Sequence, residues 1–128
     1  MTIRQITDAF MAARKLCAQD TLSRAYGKKA YQLRRLLQPV VDYRVEEEKK
    51  IFERHPRVDR QTMTITFTDD AEKDEALDEL RKTRAELDEL AGTEWDRIEF
   101  ERFTIPAGET VRISGDEMGA LEPFIEFE

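Results

Sequence analysis

The chain has 128 residues, of which 40% are hydrophobic and 38% are charged, and its net charge at pH 7 is −7. This length suits one domain, and seven Phe and one Trp supply apolar anchors for a core, which argues against a disordered chain. A single cysteine, Cys17, excludes an intrachain disulfide and a metal site built from several cysteines. No apolar run approaches the ~18 residues of a membrane span and no secretory segment is recognisable, so we expect a cytoplasmic protein without membrane contact.

Charge is divided unevenly along the sequence. Residues 1–45 hold nine Lys or Arg and three Asp, a net charge of +6, whereas residues 46–128 hold twelve basic and 25 acidic residues, a net charge of −13. Such a dipolar chain suits head-to-tail self-association or an anionic ligand at the basic end. The same two net charges would arise if two solvated faces differed only by chance, and this alternative stays open.

Two helices are predicted in the first half of the chain. Residues 2–19 carry an apolar stripe at three- and four-residue spacing, with Thr7 or Thr2 as the cap. A second apolar stripe continues on both sides of Pro39. This favours one long helix that kinks at the proline and ends near Arg54.

The middle of the chain combines a predicted strand with the clearest helix. Residues 62–67 alternate Thr with Met, Ile and Phe, which predicts a half-buried strand. Residues 71–91 follow a leucine heptad, with Asp69 or Asp70 as a candidate N-cap and Gly92 suited to a left-handed end. The heptad seam is the candidate oligomer interface, formed by Leu77, Leu80, Arg84 and Leu87.

The last part of the sequence, residues 95–128, is predicted to be rich in strand. Residues 98–105 alternate apolar and polar side chains, and Ser114 with Glu117 forms a capping box for a short helix. The predicted fold class is α+β, with a long kinked helix and one or two further helices packed on a small, mostly antiparallel sheet in a single domain, residues 1–128.

A homo-oligomer is expected because of the length of the second helix. From Ser23 to Arg54 it would span about 48 Å at 1.5 Å per residue, which is longer than a compact domain of this size needs. Another copy of the chain would cover the part that extends beyond the domain.

The inventory of catalytic side chains is small. The chain has one His, one Cys, two Ser and no Asn. His55 stands at a predicted helix end, where a cation favours the helix dipole, and Cys17 lies on an apolar stripe. The acidic cluster at 69–75 lacks the central Gly of a calcium loop. We therefore expect no enzyme, no cofactor and no metal site.

One basic segment is a candidate binding site. Basic residues with interleaved Tyr can hold phosphates and stack on bases, and the candidate residues are Arg24, Tyr26, Lys28, Lys29, Tyr31 and Arg35. The net charge of −7 disfavours double-stranded DNA. A small phosphorylated ligand needs only a local patch. A solvated helix face is the alternative.

The order of these elements resembles a known family. The pattern Ala30-Tyr31-x-Leu33-x-Arg35-Leu36 opens the long helix, an acidic leucine helix follows, and Leu121-Glu122-Pro123-Phe124-Ile125 closes the chain. Over residues 7–127 the chain is similar to a family of small proteins encoded by tailed bacteriophages and prophages. The resemblance implies a phage context, in the host cytoplasm or in the virion.

Two functions follow from the phage context. The first is a non-enzymatic binding protein that antagonises a host defence component or sequesters its nucleotide signal. The alternative is a virion or virion-assembly subunit that acts by protein–protein interaction. Purified particles distinguish the two, because a virion subunit is present in them and an antagonist is absent.

Overall fold

The computed structural model describes all of residues 1–128 and contains four helices and two short strands. The elements in chain order are α1 (Ile3–Cys17), α2 (Arg24–Arg54), α3 (Asp70–Ala91), β1 (Phe103–Ile105), α4 (Gly115–Leu121) and β2 (Ile125–Phe127). Helices dominate, and the small sheet makes the class α+β, as predicted. None of the helices has both the length and the apolar character needed to cross a bilayer.

The chain divides into two compact units. The first unit combines Met1–Asp42 with Glu94–Glu128, and the second is Tyr43–Thr93. The first unit is therefore discontinuous in sequence. Helix α2 contributes its first part to one unit and its last part to the other.

Local capping signals begin three of the helices. Thr2 caps α1, because its hydroxyl accepts the N–H of Gln5 at 3.2 Å and the Gln5 side chain accepts the N–H of Thr2 at 2.9 Å. The predicted capping box of Ser114 and Glu117 is confirmed at the start of α4, with bonds of 2.9 and 3.1 Å. Of the two candidate caps of α3, Asp69 is the one that the structure uses. Each side chain satisfies a donor that the first helical turn leaves without a partner.

Helix α2 runs without interruption from Arg24 to Arg54, so the predicted single helix across Pro39 is confirmed. The predicted kink is not matched. The physical reason lies on the buried face: Leu37 and Val40, on either side of the proline, lie in the same core, while Pro39 itself faces solvent. A continuous buried stripe keeps the two halves of the helix in register despite the missing backbone donor.

The sheet is parallel, and the prediction of a mostly antiparallel sheet is wrong. Strand β1 pairs with β2 so that Phe103 lies opposite Ile125 and Ile105 lies opposite Phe127. Helix α4 connects the two strands and returns the chain in the same direction, as a parallel pair requires. Only these six residues form strands in the predicted strand-rich region 95–128, so that prediction is also wrong.

The predicted strand at residues 62–67 is wrong as well. The segment forms turns, with one isolated antiparallel bridge between Val58 and Ile65. Met63 adopts φ 53°, in the left-handed region that interrupts an extended strand. The carboxylate of Asp59 accepts two backbone N–H groups, of the residues two and three positions further on, at 2.8 and 2.9 Å. Side-chain bonds of this kind hold a turn in place of a strand ladder.

The core of the first unit includes the contact of α1 with α4 and that of α4 with β2 in the strand pair. Its largest fully buried side chains are Ile3, Ile6, Leu16, Leu33, Leu37, Ile105, Leu121 and Ile125. Burial of one such side chain stabilises the fold by about 1.5–3 kcal/mol.

In the second unit, Ile51, Val58 and Ala76 are buried. Helix α3 ends at Gly92 with φ −84°, so the predicted left-handed end is wrong. The Gly92 N–H bonds carbonyl groups of the last turn in the right-handed conformation, which a helix end can also use.

Candidate functional site

All six candidate ligand residues lie on the first part of α2, within the first unit, and the helix sorts them onto different faces. Four of them follow one another in steps of four, three and four residues, which places them on one side of a helix. All four are exposed to solvent. We call this face the basic stripe, and it consists of Arg24, Lys28, Tyr31 and Arg35.

The basic stripe places cations around one aromatic ring. Tyr31 is 48% exposed, and the guanidinium of Arg35 lies 5.9 Å from the centroid of its ring. Together with Arg34, Gln38 and Pro39 these two residues line a shallow cleft of about 330 Å³. Because one helix supplies every wall, a ligand here would lie against an open face and would not be enclosed.

The cations in this part of α2 form no ion pair with a carboxylate. The unpaired side chains are Arg24, Lys28, Lys29, Arg34 and Arg35. In the last part of the helix three of the four basic residues pair with glutamates at 2.9–3.7 Å: Arg44 with Glu48, Lys50 with Glu47, and Arg54 with Glu86. Lys49 is the exception. Positive charge without compensation is therefore concentrated at the beginning of α2, where it can attract anions.

Two candidate residues lie away from the basic stripe. The amine of Lys29 lies 5.2 Å from the ring centroid of Phe103, in a separate cleft of about 390 Å³ between α2 and β1. Phe100 packs edge-on against Phe103 in the same cleft, with ring centroids 6.1 Å apart. Tyr26 is half-buried on the side of α2 opposite the stripe. The structure thus separates Lys29 and Tyr26 from the other four.

The candidate oligomer residues also divide into two pairs. Leu77 is 41% exposed, and Arg84, seven residues later and on the same side of α3, is exposed too. Leu80 and Leu87 are half-buried. Leu77 and Arg84 are the pair that another copy of the chain can reach.

A groove between α1 and α4 has no counterpart in the sequence-based predictions. Two adjoining clefts of about 280 and about 270 Å³ share Asp8 and Ala120 and together form what we call the α1–α4 groove. Met11 and Ala12 contribute from α1, and Asp116 and Glu122 lie on the α4 side. Its two sides lie more than a hundred residues apart in the chain, so no local spacing could reveal it.

His55 and Glu86 form a partly buried polar cluster in the second unit. His55 is 9% exposed, and its Nε2 lies 3.2 Å from the Glu86 carboxylate, which also accepts a hydrogen bond from Arg54 at 3.1 Å. Desolvation raises the pKa of Glu86, but the hydrogen bonds from Arg54 and His55 more than offset it and hold this pKa below its usual value. The cluster joins the end of α2 to α3.

The chemistry of these surfaces is that of charge and shape. No group of three or more His, Cys, Asp or Glu side chains is placed to hold a metal ion. Comparison with protein-family models, curated proteins and solved structures gave no match.

Proposed function

We propose that this chain is a non-enzymatic binding protein whose basic stripe receives an anionic partner. The observation that supports this is that all five cations on the first part of α2 are unpaired, whereas three of the four on the last part are paired. A hydrogen bond from Lys or Arg to a phosphate contributes about 1.5–3 kcal/mol. The stripe offers several such donors at positions that the fold does not use.

The spacing of the stripe suits a phosphorylated compound that carries an aromatic ring. Lys28 and Arg35 are seven residues apart, about 10 Å along the helix, and the exposed ring of Tyr31 lies between them. A base can stack on that ring while its phosphates reach the flanking cations. An acidic protein surface also carries negative charges for these cations, but it has no base to stack on Tyr31.

The resemblance to small phage proteins gives this binding its context. In that context the protein would antagonise a host defence component or sequester its nucleotide signal. The alternative is a virion or virion-assembly subunit that uses the same surfaces for protein contacts. We also propose a homo-oligomer in which the Leu77 and Arg84 side of α3 meets its own copy, which gives a closed dimer.

A thermal-shift screen of the wild-type protein against cyclic dinucleotides and ADP-ribose derivatives tests the ligand proposal. A ligand at a hundred times its dissociation constant stabilises the folded protein by about 2.7 kcal/mol and raises its melting temperature. Lys28→Ala and Arg35→Ala should each weaken binding of the active compound about tenfold or more. Because these side chains are exposed, the melting temperature without ligand should stay nearly constant.

Lys29→Ala is the matched control. It removes the same type of side chain from the adjacent position, but that position lies outside the basic stripe. The affinity should stay within about twofold of the wild type, an energy change below ~0.5 kcal/mol. If no compound shifts the wild-type melting temperature, the nucleotide part of the proposal fails. If Lys29→Ala weakens binding as strongly as Lys28→Ala, the stripe is not the binding face.

A further inference from the structure

The α1–α4 groove carries acidic groups that the fold leaves without ion partners. The carboxylates of Asp8, Asp116 and Glu122 form no ion pair. Glu117 is the exception in this region, since it bonds Lys15 at 3.0 Å. Three uncompensated negative charges therefore surround the groove, in the same unit that carries the uncompensated cations of α2.

The groove between these carboxylates is open and has a mixed polar and apolar lining. Met11, which lines it, is 51% exposed, and the small residues Ala12 and Ala120 line it too. At Gly119, beside them, an added Cβ would meet no atom within 4 Å. An exposed, flexible Met next to small residues can adapt to an inserted side chain. The groove thus has the space and some apolar surface to receive an inserted side chain.

We propose that a second copy of this chain places its basic stripe in the α1–α4 groove. The cations Lys28 and Arg35 then face the unpaired carboxylates, and the exposed ring of Tyr31 enters between them.

This contact joins two different surfaces, so it leaves a free groove on one copy and a free stripe on the other. Copies can therefore add head to tail, and the assembly grows beyond a dimer as concentration rises. The contact is distinct from the α3 contact and needs no anionic ligand. Because it is built from exposed charges, salt weakens it.

Sedimentation velocity over a range of protein and salt concentrations tests the contact. The wild type should grow beyond a dimer at high micromolar concentration and return to smaller species between about 0.05 and about 0.5 M salt. A stripe variant, Lys28→Glu with Arg35→Glu, should lose this growth. A groove variant, Asp8→Lys with Glu122→Lys, should lose it too. The control pair Lys49→Glu with Asp74→Lys, exposed residues outside both surfaces, should assemble like the wild type.

Mixing the two variants gives the decisive result. The intact stripe of the groove variant matches the intact groove of the stripe variant, and the two reversed surfaces also match each other. An equimolar mixture should therefore regain the growth that neither variant shows alone. A mixture of folded variants that does not grow overturns the proposal, as does a wild type that never exceeds a dimer.

A measurement on the unaltered protein keeps the test independent of how the variants fold. A carbodiimide joins a Lys amine to a carboxylate that it touches. In a mixture of ¹⁴N- and ¹⁵N-labelled protein, mass spectrometry should find Lys28 of one copy joined to Asp8, Asp116 or Glu122 of the other. Cross-links confined within single copies would contradict the head-to-tail contact.

Discussion

Glu86 is the residue on which the polar interior of the second unit depends. It accepts hydrogen bonds from Arg54 and from the nearly buried His55, and its pKa is lower than usual because these bonds outweigh desolvation. A carboxylate whose pKa is depressed by folding stabilises the protein above the pKa of the unfolded chain. That contribution is lost as pH falls through the folded pKa.

We expect Glu86→Gln to reduce the free energy of unfolding at pH 7 by about 1 kcal/mol, since the bonds to the charged partners weaken and part of the site is open to solvent. The difference from the wild type should shrink as pH falls below ~4.3, the ordinary value for Glu. Urea denaturation of both proteins from pH 7 to about pH 2 measures this.

Glu89→Gln provides the control for this pH dependence. Its side chain lies exposed on the same helix and takes part in no ion pair. The Glu89→Gln protein should follow the wild-type stability curve at every pH. A Glu86→Gln deficit that stays constant down to the lowest pH would show that the Glu86 charge does not contribute.

The elements of this fold differ in how far their sequences determine them. The helices and their caps were predictable because the signals lie within a few residues, as at Asp69 and Ser114. The alternating segment 62–67 has the period of a strand but gains only one bridge. A strand needs a partner, and alternation in one segment does not supply it. The actual pair, β1 and β2, forms across the whole of α4.

For the candidate surfaces, too, the sequence predicts local features and misses contacts between distant parts of the chain. Helical spacing alone places Arg24, Lys28 and Arg35 on one face, so this part of the basic stripe follows from the sequence. The contact of Lys29 with the Phe103 ring does not follow from the sequence, because it joins α2 to β1, far along the chain. The α1–α4 groove is equally non-local.

Replacing Pro39 measures how much a proline in the interior of helix α2 lowers the stability of the protein. In a helix interior, Pro is about 3 kcal/mol less favourable than Ala. Ala also raises the conformational entropy of the unfolded chain, which lowers the free energy of unfolding by about 0.4–1 kcal/mol. We therefore expect Pro39→Ala to stabilise the protein by about 2 kcal/mol, measured by urea denaturation.

Pro56→Ala serves as the comparison, because Pro56 is exposed and lies beyond the end of α2. It removes no helix strain and should lower stability by up to ~1 kcal/mol. A loss of stability in Pro39→Ala would mean that the proline itself packs into the fold more favourably than alanine does.

At the scale of the whole molecule, the exposed leucines offer matched tests of assembly. Leu77 on α3 and Leu36 on α2 are each 41% exposed. If copies meet through α3, Leu77→Asp should weaken dimerisation about tenfold or more, since a charge would be buried against an apolar surface. Leu36→Asp should leave the dimer unchanged. Sedimentation equilibrium measures both, and equal behaviour of the two variants would exclude the α3 interface.

The division into a continuous and a discontinuous unit determines which unit can fold first during synthesis. Residues 43–93 emerge as one stretch, so the second unit can form while translation continues. The first unit needs the 35 residues of Glu94–Glu128 as well, and at 5–20 residues per second these take about 2–7 s to make. Until α4 emerges, α1 lacks its contact with α4, and apolar side chains of the first unit stay exposed during this interval.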